Sequence, residues 1–128
     1  LGNDISDFSK SVDFIKSITK IVRYYFHIDI DYQSLNYNRF AVHLKFFWKA
    51  MMYKKDQSSF GDLSREILNV IKNSDIEAYK CALKIKEYIS EKYNYELNNE
   101  EIMYLAIHIN KIVHGEEKWV MKRWTNKS

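Results

Sequence analysis

Asn98-Asn99-Glu100-Glu101-Ile102-Met103-Tyr104-Leu105-Ala106-Ile107-His108-Ile109-Asn110-Lys111-Ile112-Val113-His114-Gly115 is the stretch that decides the fold. Ile102, Leu105, Ile109, Ile112 and Val113 fall on one stripe of an α-helix, the period expected when a single face is buried. Asn98 and Glu101 stand at capping-box spacing, in which each side chain accepts the other residue's free backbone N–H. Leu97 can staple onto Ile102 across that cap, and Gly115 supplies a C-terminal stop.

The same grammar recurs upstream. Ser74 and Glu77 repeat the capping-box spacing and open a helix that presents Ala78, Ala82, Ile85 and Ile89. Cys81 borders that face and reads as a packing residue. Phe40, His43, Leu44, Phe47 and Met51 form another helical series, with Ser34 or Asn36 as its cap. A shorter segment carries Phe60, Leu63, Ile67 and Ile71. The first series is Phe8, Val12, Ile15, Ile18, Val22 and Tyr25. Beyond it Phe26, Ile28 and Ile30 alternate with His27, Asp29 and Asp31. That is strand periodicity, but without a partner strand it reads as an extended connector.

Composition agrees. The 128 residues include three glycines and no proline, where average usage gives about nine and six. Sandwiches and barrels need Gly/Pro turns, so the expected fold is all-α, a single five-helix bundle without a sheet over residues 1–115. A basic, aromatic tail follows at 116–128, with Lys118, Trp119, Lys122, Arg123, Trp124 and Lys127. About two-thirds of the unfolded surface is buried in a chain of this size, enough for a core without disulfides or metal staples. No long apolar run and no secretory leader occur, and the lone Cys81 fits a reducing compartment; a cytoplasmic protein is expected. The opening Leu1-Gly2-Asn3 lacks an initiator methionine, so we expect a piece of something longer.

Little catalytic chemistry is available. The net charge of +3 comes from interspersed basic and acidic residues, too mild by itself to announce nucleic acid. The tail's basic and aromatic mixture could bind single strands, although docking of its tryptophans on the bundle is the plainer reading. There is no Glu-x-x-His pair, Cys-x-x-Cys, His-Glu-x-x-His, Gly-rich phosphate loop or Gly-x-Ser-x-Gly. His27, Asp29 and Asp31 are too few for a metal site and read as solvated. No enzyme, metal or cofactor is expected.

Two histidines differ from the rest. His43 lies in Arg39-Phe40-Ala41-Val42-His43-Leu44, inside an apolar series; His108 lies in Tyr104-Leu105-Ala106-Ile107-His108-Ile109, at the edge of one. By periodicity each can be a hydrogen-bonded core or interface histidine, or a nucleophilic imidazole that takes a group from a partner. Arg39 and Lys111 lie one helical turn from His43 and His108, where they would disfavour imidazolium and stabilise an anionic group taken up by the ring; Tyr104 is the third neighbour.

The windows Arg39-Phe-Ala-Val-His-Leu-Lys-Phe-Phe47 and Glu101-Ile-Met-Tyr-Leu-Ala-Ile-His-Ile109 resemble the phosphotransferase-system regulation domain, or PRD. They look most like the second PRD of BglG/SacY-type transcriptional antiterminators. The resemblance implies a dimerising helical bundle in which His43 and His108 accept phosphate. The donors would be the histidine-phosphorylated phosphocarrier protein or the sugar-specific transporter component. RNA would be bound only by a separate N-terminal domain absent from this sequence. A PRD from a DNA-binding activator, or a small nucleic-acid-binding module using the tail, are the other readings. The sequence departs from the family where arginines are common, reading Trp48-Lys49-Ala50 and His108-Ile109-Asn110-Lys111. Lysine keeps the charge without the planar fork.

Overall fold

The computed structural model describes residues 2–53, 69–70 and 72–115. Four helices have defined bounds: α1 (Gly2–Phe26), α2 (Leu35–Met52), α3 (Ile76–Tyr93) and α4 (Asn99–His114). The described residues at 69–74 are helical as well, and no strand occurs among the described residues. The protein is an all-α bundle. Most of the short segment on Phe60, Leu63, Ile67 and Ile71 lies outside the described residues, as does the tail at 116–128.

The four helices close a ring in which α1 touches α2 and α3, while α4 touches α2 and α3. Each therefore buries an arc facing two neighbours. The core contains Phe14, Ile18 and Val22 from α1, Phe40, Leu44, Phe47, Trp48 and Met51 from α2, Cys81, Ile85 and Ile89 from α3, and Ile102, Leu105 and Ile109 from α4. Phe14 is an aromatic hub, with ring centroids 5.3 Å from Trp48 and 5.5 Å from Tyr93.

The buried face of α1 differs from the expected stripe. Phe8 is exposed, Val12 and Ile15 are half-buried, and Ser11 and Thr19 are buried instead. Two neighbours widen the buried arc and centre it on Phe14 and Ile18. The polar residues are tolerated because their hydroxyls are bonded: Ser11 Oγ donates to the Phe8 carbonyl at 2.7 Å, and Thr19 Oγ1 pairs with the Tyr37 hydroxyl at 3.1 Å.

The helix ends follow local chemistry, with one correction. Ser34, not Asn36, caps α2 by accepting from Tyr37 N–H. The α4 capping box is present in full: Asn98 Oδ1 accepts from Glu101 N–H and Glu101 Oε1 from Asn98 N–H, both at 2.9 Å. Leu97 and Ile102 are both buried in the core beside it. Gly115 closes α4 at φ 66°, a value glycine reaches without steric cost. In α3 the cap is Asp75 rather than Ser74, its Oδ1 accepting from Ala78 N–H. Its other oxygen accepts from Asn110 Nδ2 of α4, a tertiary bond that the Ser74–Glu77 spacing could not announce. No strand forms in the connector after α1, as expected, but it opens on a turn rather than an extended residue. His27 takes φ 54°, and Ile28 N–H reaches back to the Arg23 carbonyl, ending the helix in a left-handed cap.

Leu105 is wholly buried on the helix that meets both α2 and α3. Leu105→Ala should therefore destabilise the bundle by about 2–5 kcal/mol, read as a lower denaturation midpoint in urea. A loss within about 0.5 kcal/mol, the scale of a surface substitution, would mean that α4 is not central to the core.

Candidate functional site

The contact between α2 and α4 brings together the two histidines that the sequence singled out. His43 and Tyr104 stack face to face, their ring centroids 3.6 Å apart and their planes 7° from parallel. Tyr104 also lies over His108, one turn along α4, at 4.5 Å and 28°. The imidazoles themselves are 5.9 Å apart at 24°. Phe47 stands edge-on to His43 at 6.3 Å, and Phe40 is 6.5 Å from His108. Both imidazoles are half-buried, while Tyr104 is 42% exposed, so the cluster opens at the surface.

Local sequence explains each position. Phe40, Leu44 and Phe47 point α2 into the core and leave His43 on the flank of that stripe. Leu105 and Ile109 do the same for α4, leaving Tyr104 and His108 on its flank toward α2. Asn36 Nδ2 donates to the Lys111 carbonyl at 3.3 Å, linking the start of α2 to the end of α4.

The electrostatics keep both rings neutral. Burial, reinforced by the neighbouring His108, lowers the His43 pKa to about 4. His108 is also lowered, first by burial and then by the positive charges of Lys111 and Arg39. Each neutral imidazole keeps one nitrogen with a free lone pair, the form that is nucleophilic. Arg39 is exposed on α2 and Lys111 half-buried on α4, so one cation from each helix acts on His108.

The expected site residues His43, His108, Tyr104, Arg39 and Lys111 thus belong to one seam between α2 and α4. The stack of Tyr104 on His43 was not anticipated: the sequence related Tyr104 only to His108, and no local signal gives the register of two helices far apart in the chain. Residues read as non-functional lie elsewhere. His27, Asp29 and Asp31 are exposed; Asp31 Oδ1 accepts from Gln33 N–H, and Asp29 lies 4.0 Å from Arg23. Cys81 is wholly buried, and burial pushes its thiol up to about 12, which makes it unreactive packing. The fourth histidine, His114, lies 3.4 Å from Asp75 at the junction of α3 and α4.

A neutral, half-buried His43 makes a pH prediction. NMR titration should find this imidazole protonating near pH 4, and Tyr104→Ala should move it back toward the ordinary value of 6.5 by readmitting water. The folded state binds this proton more weakly than the unfolded state. Stability should therefore be flat above about 6.5 and fall as pH drops from there toward about 4, with a shallower slope in His43→Gln. An unchanged His43 titration in Tyr104→Ala would show that the stack does not cover the ring.

Comparison with known proteins bears on the whole bundle. The PRD domain family model matches residues 16–112. The chain is similar to the transcription antiterminator LicT of Bacillus subtilis, 33% identical over 113 residues, covering 88% of this chain and 40% of that protein. It is 35% identical over 103 residues to a beta-glucoside operon antiterminator of Dickeya chrysanthemi, covering 77% of this chain and 34% of that protein. Protein GlcT of Staphylococcus epidermidis is 30% identical over 108 residues, 84% of this chain and 36% of its own length. The chain thus spans between a third and two-fifths of these relatives. Its helical fold, its paired histidine windows and this match agree, and the chain belongs to the PRD family, with antiterminators among its relatives.

Proposed function

We propose that the chain is the regulatory PRD of a transcriptional antiterminator of sugar-utilisation genes, and that His43 and His108 accept phosphate from histidine-phosphorylated phosphotransferase-system proteins. The observation that carries this reading is the meeting of two neutral imidazoles in a surface-open seam, with Arg39 and Lys111 acting on one of them. The antiterminator relatives favour this parent over a DNA-binding activator.

The chemistry asks little of the acceptor. A bare nitrogen of the neutral ring attacks the donor's phosphorus in line. The donor's P–N bond breaks as the new P–N bond forms, and the donor ring leaves as neutral imidazole. Each ring keeps the proton on its other nitrogen, so no water or metal enters and the chain need not be an enzyme. Phosphate then brings nearly two negative charges into a seam between apolar helices. Unpaired, that charge is costly; beside Arg39 and Lys111 it is stabilised.

Such a change alters which surface can be buried against a second subunit. Moving a homodimer from 1:99 to 99:1 between two arrangements takes about 5.5 kcal/mol, within reach of two symmetry-related phosphohistidines. The consequence would pass to a separate RNA-binding domain that locks or releases an antiterminator hairpin. Residues 1–115 would form this module and 116–128 its tail. No helix among the described residues is long and apolar enough to cross a membrane, and the reading places the protein in the cytoplasm.

Incubation with the phosphocarrier protein, its upstream kinase and phosphoenolpyruvate should add acid-labile phosphate. The double variant His43→Ala/His108→Ala, checked for helicity by circular dichroism, should take up none. Full labelling of that variant rejects the assignment.

A further inference from the structure

The end of α4 meets the connector before α2 and the start of α2 in a surface groove of about 450 Å³. That volume lies in the range that takes a drug-sized ligand, so a large aromatic side chain fits. The apolar lining comes from Ile30, Leu35 and Ile112, and the charge from Asp29, Asp31 and Lys111. Leu35 is 62% exposed, and both aspartates are exposed. Gly115, the last described residue, lines the same groove, so the chain that follows sets out from its wall.

We propose that this groove is the docking site of the chain's own segment 116–128, with Trp119 seated against Leu35 and Ile112 and the segment's cations facing Asp29 and Asp31. The proposal does not depend on the phosphoacceptor reading of the histidines. Distance favours this occupant first. Trp119 is four residues beyond Gly115, and four residues span at most about 14 Å, so the indole stays within reach of the groove wherever the chain turns. A tether this short also gives an effective concentration in the millimolar range, above that of the same segment on a second copy.

Charge favours it next. From Lys118 to Ser128 the segment has Lys118, Lys122, Arg123 and Lys127 and no acid. The two acids that come before, Glu116 and Glu117, have Lys111 of the same groove to face. Arg23 stands 4.0 Å from Asp29 and answers it in part. A nucleic acid fits this groove less well, because Asp29 and Asp31 repel its phosphates. Exposed ion pairs are each worth little, so the indole supplies most of the hold and the charges choose the groove. Asn36 and Lys111 line the groove too, and their hydrogen bond ties α2 to α4. A seated Trp119 would shield that bond from water and restrain the end of the seam that holds His43 and His108.

Fluorine NMR of the full chain carrying fluorotryptophan tests the docking. The three tryptophans are Trp48, Trp119 and Trp124. Trp119→Phe and Trp124→Phe assign two resonances, and Trp48, buried in the core, reports the fold. Trp119 should show a solvent isotope shift between water and heavy water well below its value in urea. Leu35→Ser and, separately, Asp29→Lys/Asp31→Lys should return that shift to the unfolded value with the Trp48 resonance in place. If the charge reversal also moves Trp48, Leu35→Ser alone decides. A fully exposed Trp119 in the parent overturns the proposal, and so does protection that Leu35→Ser leaves unchanged, because the segment then docks elsewhere. Protection lost on dilution, in step with dissociation of a dimer in sedimentation, assigns the groove to a second copy's segment. An exposed Trp119 that a single-stranded RNA oligonucleotide shifts assigns the segment to nucleic acid. Either outcome rejects docking within one chain.

Discussion

Everything chemical in this molecule depends on the seating of α4 against α2. His43 and His108 lie far apart in the chain, and neither helix alone brings their rings within 5.9 Å. What holds the seam is chiefly apolar. Phe40, Leu44, Leu105 and Ile109 are wholly buried, each contributing about 1.5–3 kcal/mol relative to exposure. The Asn36–Lys111 hydrogen bond adds a net of only about 1 kcal/mol. Burial therefore supplies the strength of the contact, and the polar bonds at the helix ends supply its register.

The caps show how that division works. The capping box fixes where α4 begins, and Gly115 fixes where it stops. Near its far end Asn110 donates to Asp75, the cap of α3, and Asn36 of α2 reaches the carbonyl of the next residue, Lys111. Two neighbouring helices thus grip adjacent residues of α4. A slip of one residue would rotate Tyr104 and His108 by about 100° and dismantle the stack.

Most of this bundle can be read in one dimension, because a helix face and its cap are local properties. The stripe on Leu105 and Ile109, the Asn98–Glu101 box and the Gly115 stop stand as the spacing says. Ser74 and Asp75 are both good caps, and the choice between them went to the residue whose second oxygen also finds Asn110 on another helix. The α1 face was displaced for the same kind of reason: contact with both α2 and α3 moved the buried arc onto Phe14 and admitted Ser11 and Thr19, whose bonded hydroxyls no hydrophobic pattern reveals. The windows around His43 and His108 stand out by helical periodicity, but a shared phosphoacceptor role for them comes only from the family resemblance. The Tyr104–His43 stack was not legible at all, since it exists only in the three-dimensional register.

That register also shapes how the seam would respond to charge. Burial keeps the rings neutral, so a proton is a poor signal here near neutral pH, and a covalent anion is a much stronger one. The cations able to answer it come one from each helix, Arg39 from α2 and Lys111 from α4. Lysine lacks the fork that would clamp a phosphate in two directions, so the answer depends more on where the ammonium can reach than on fixed geometry. The Lys111 backbone is already held by Asn36, which confines adjustment to its side chain. A phosphate on either imidazole would therefore draw on both sides of the same seam whose apolar packing holds the bundle together. That shared dependence is how a modification at one atom could alter the surface offered by two helices.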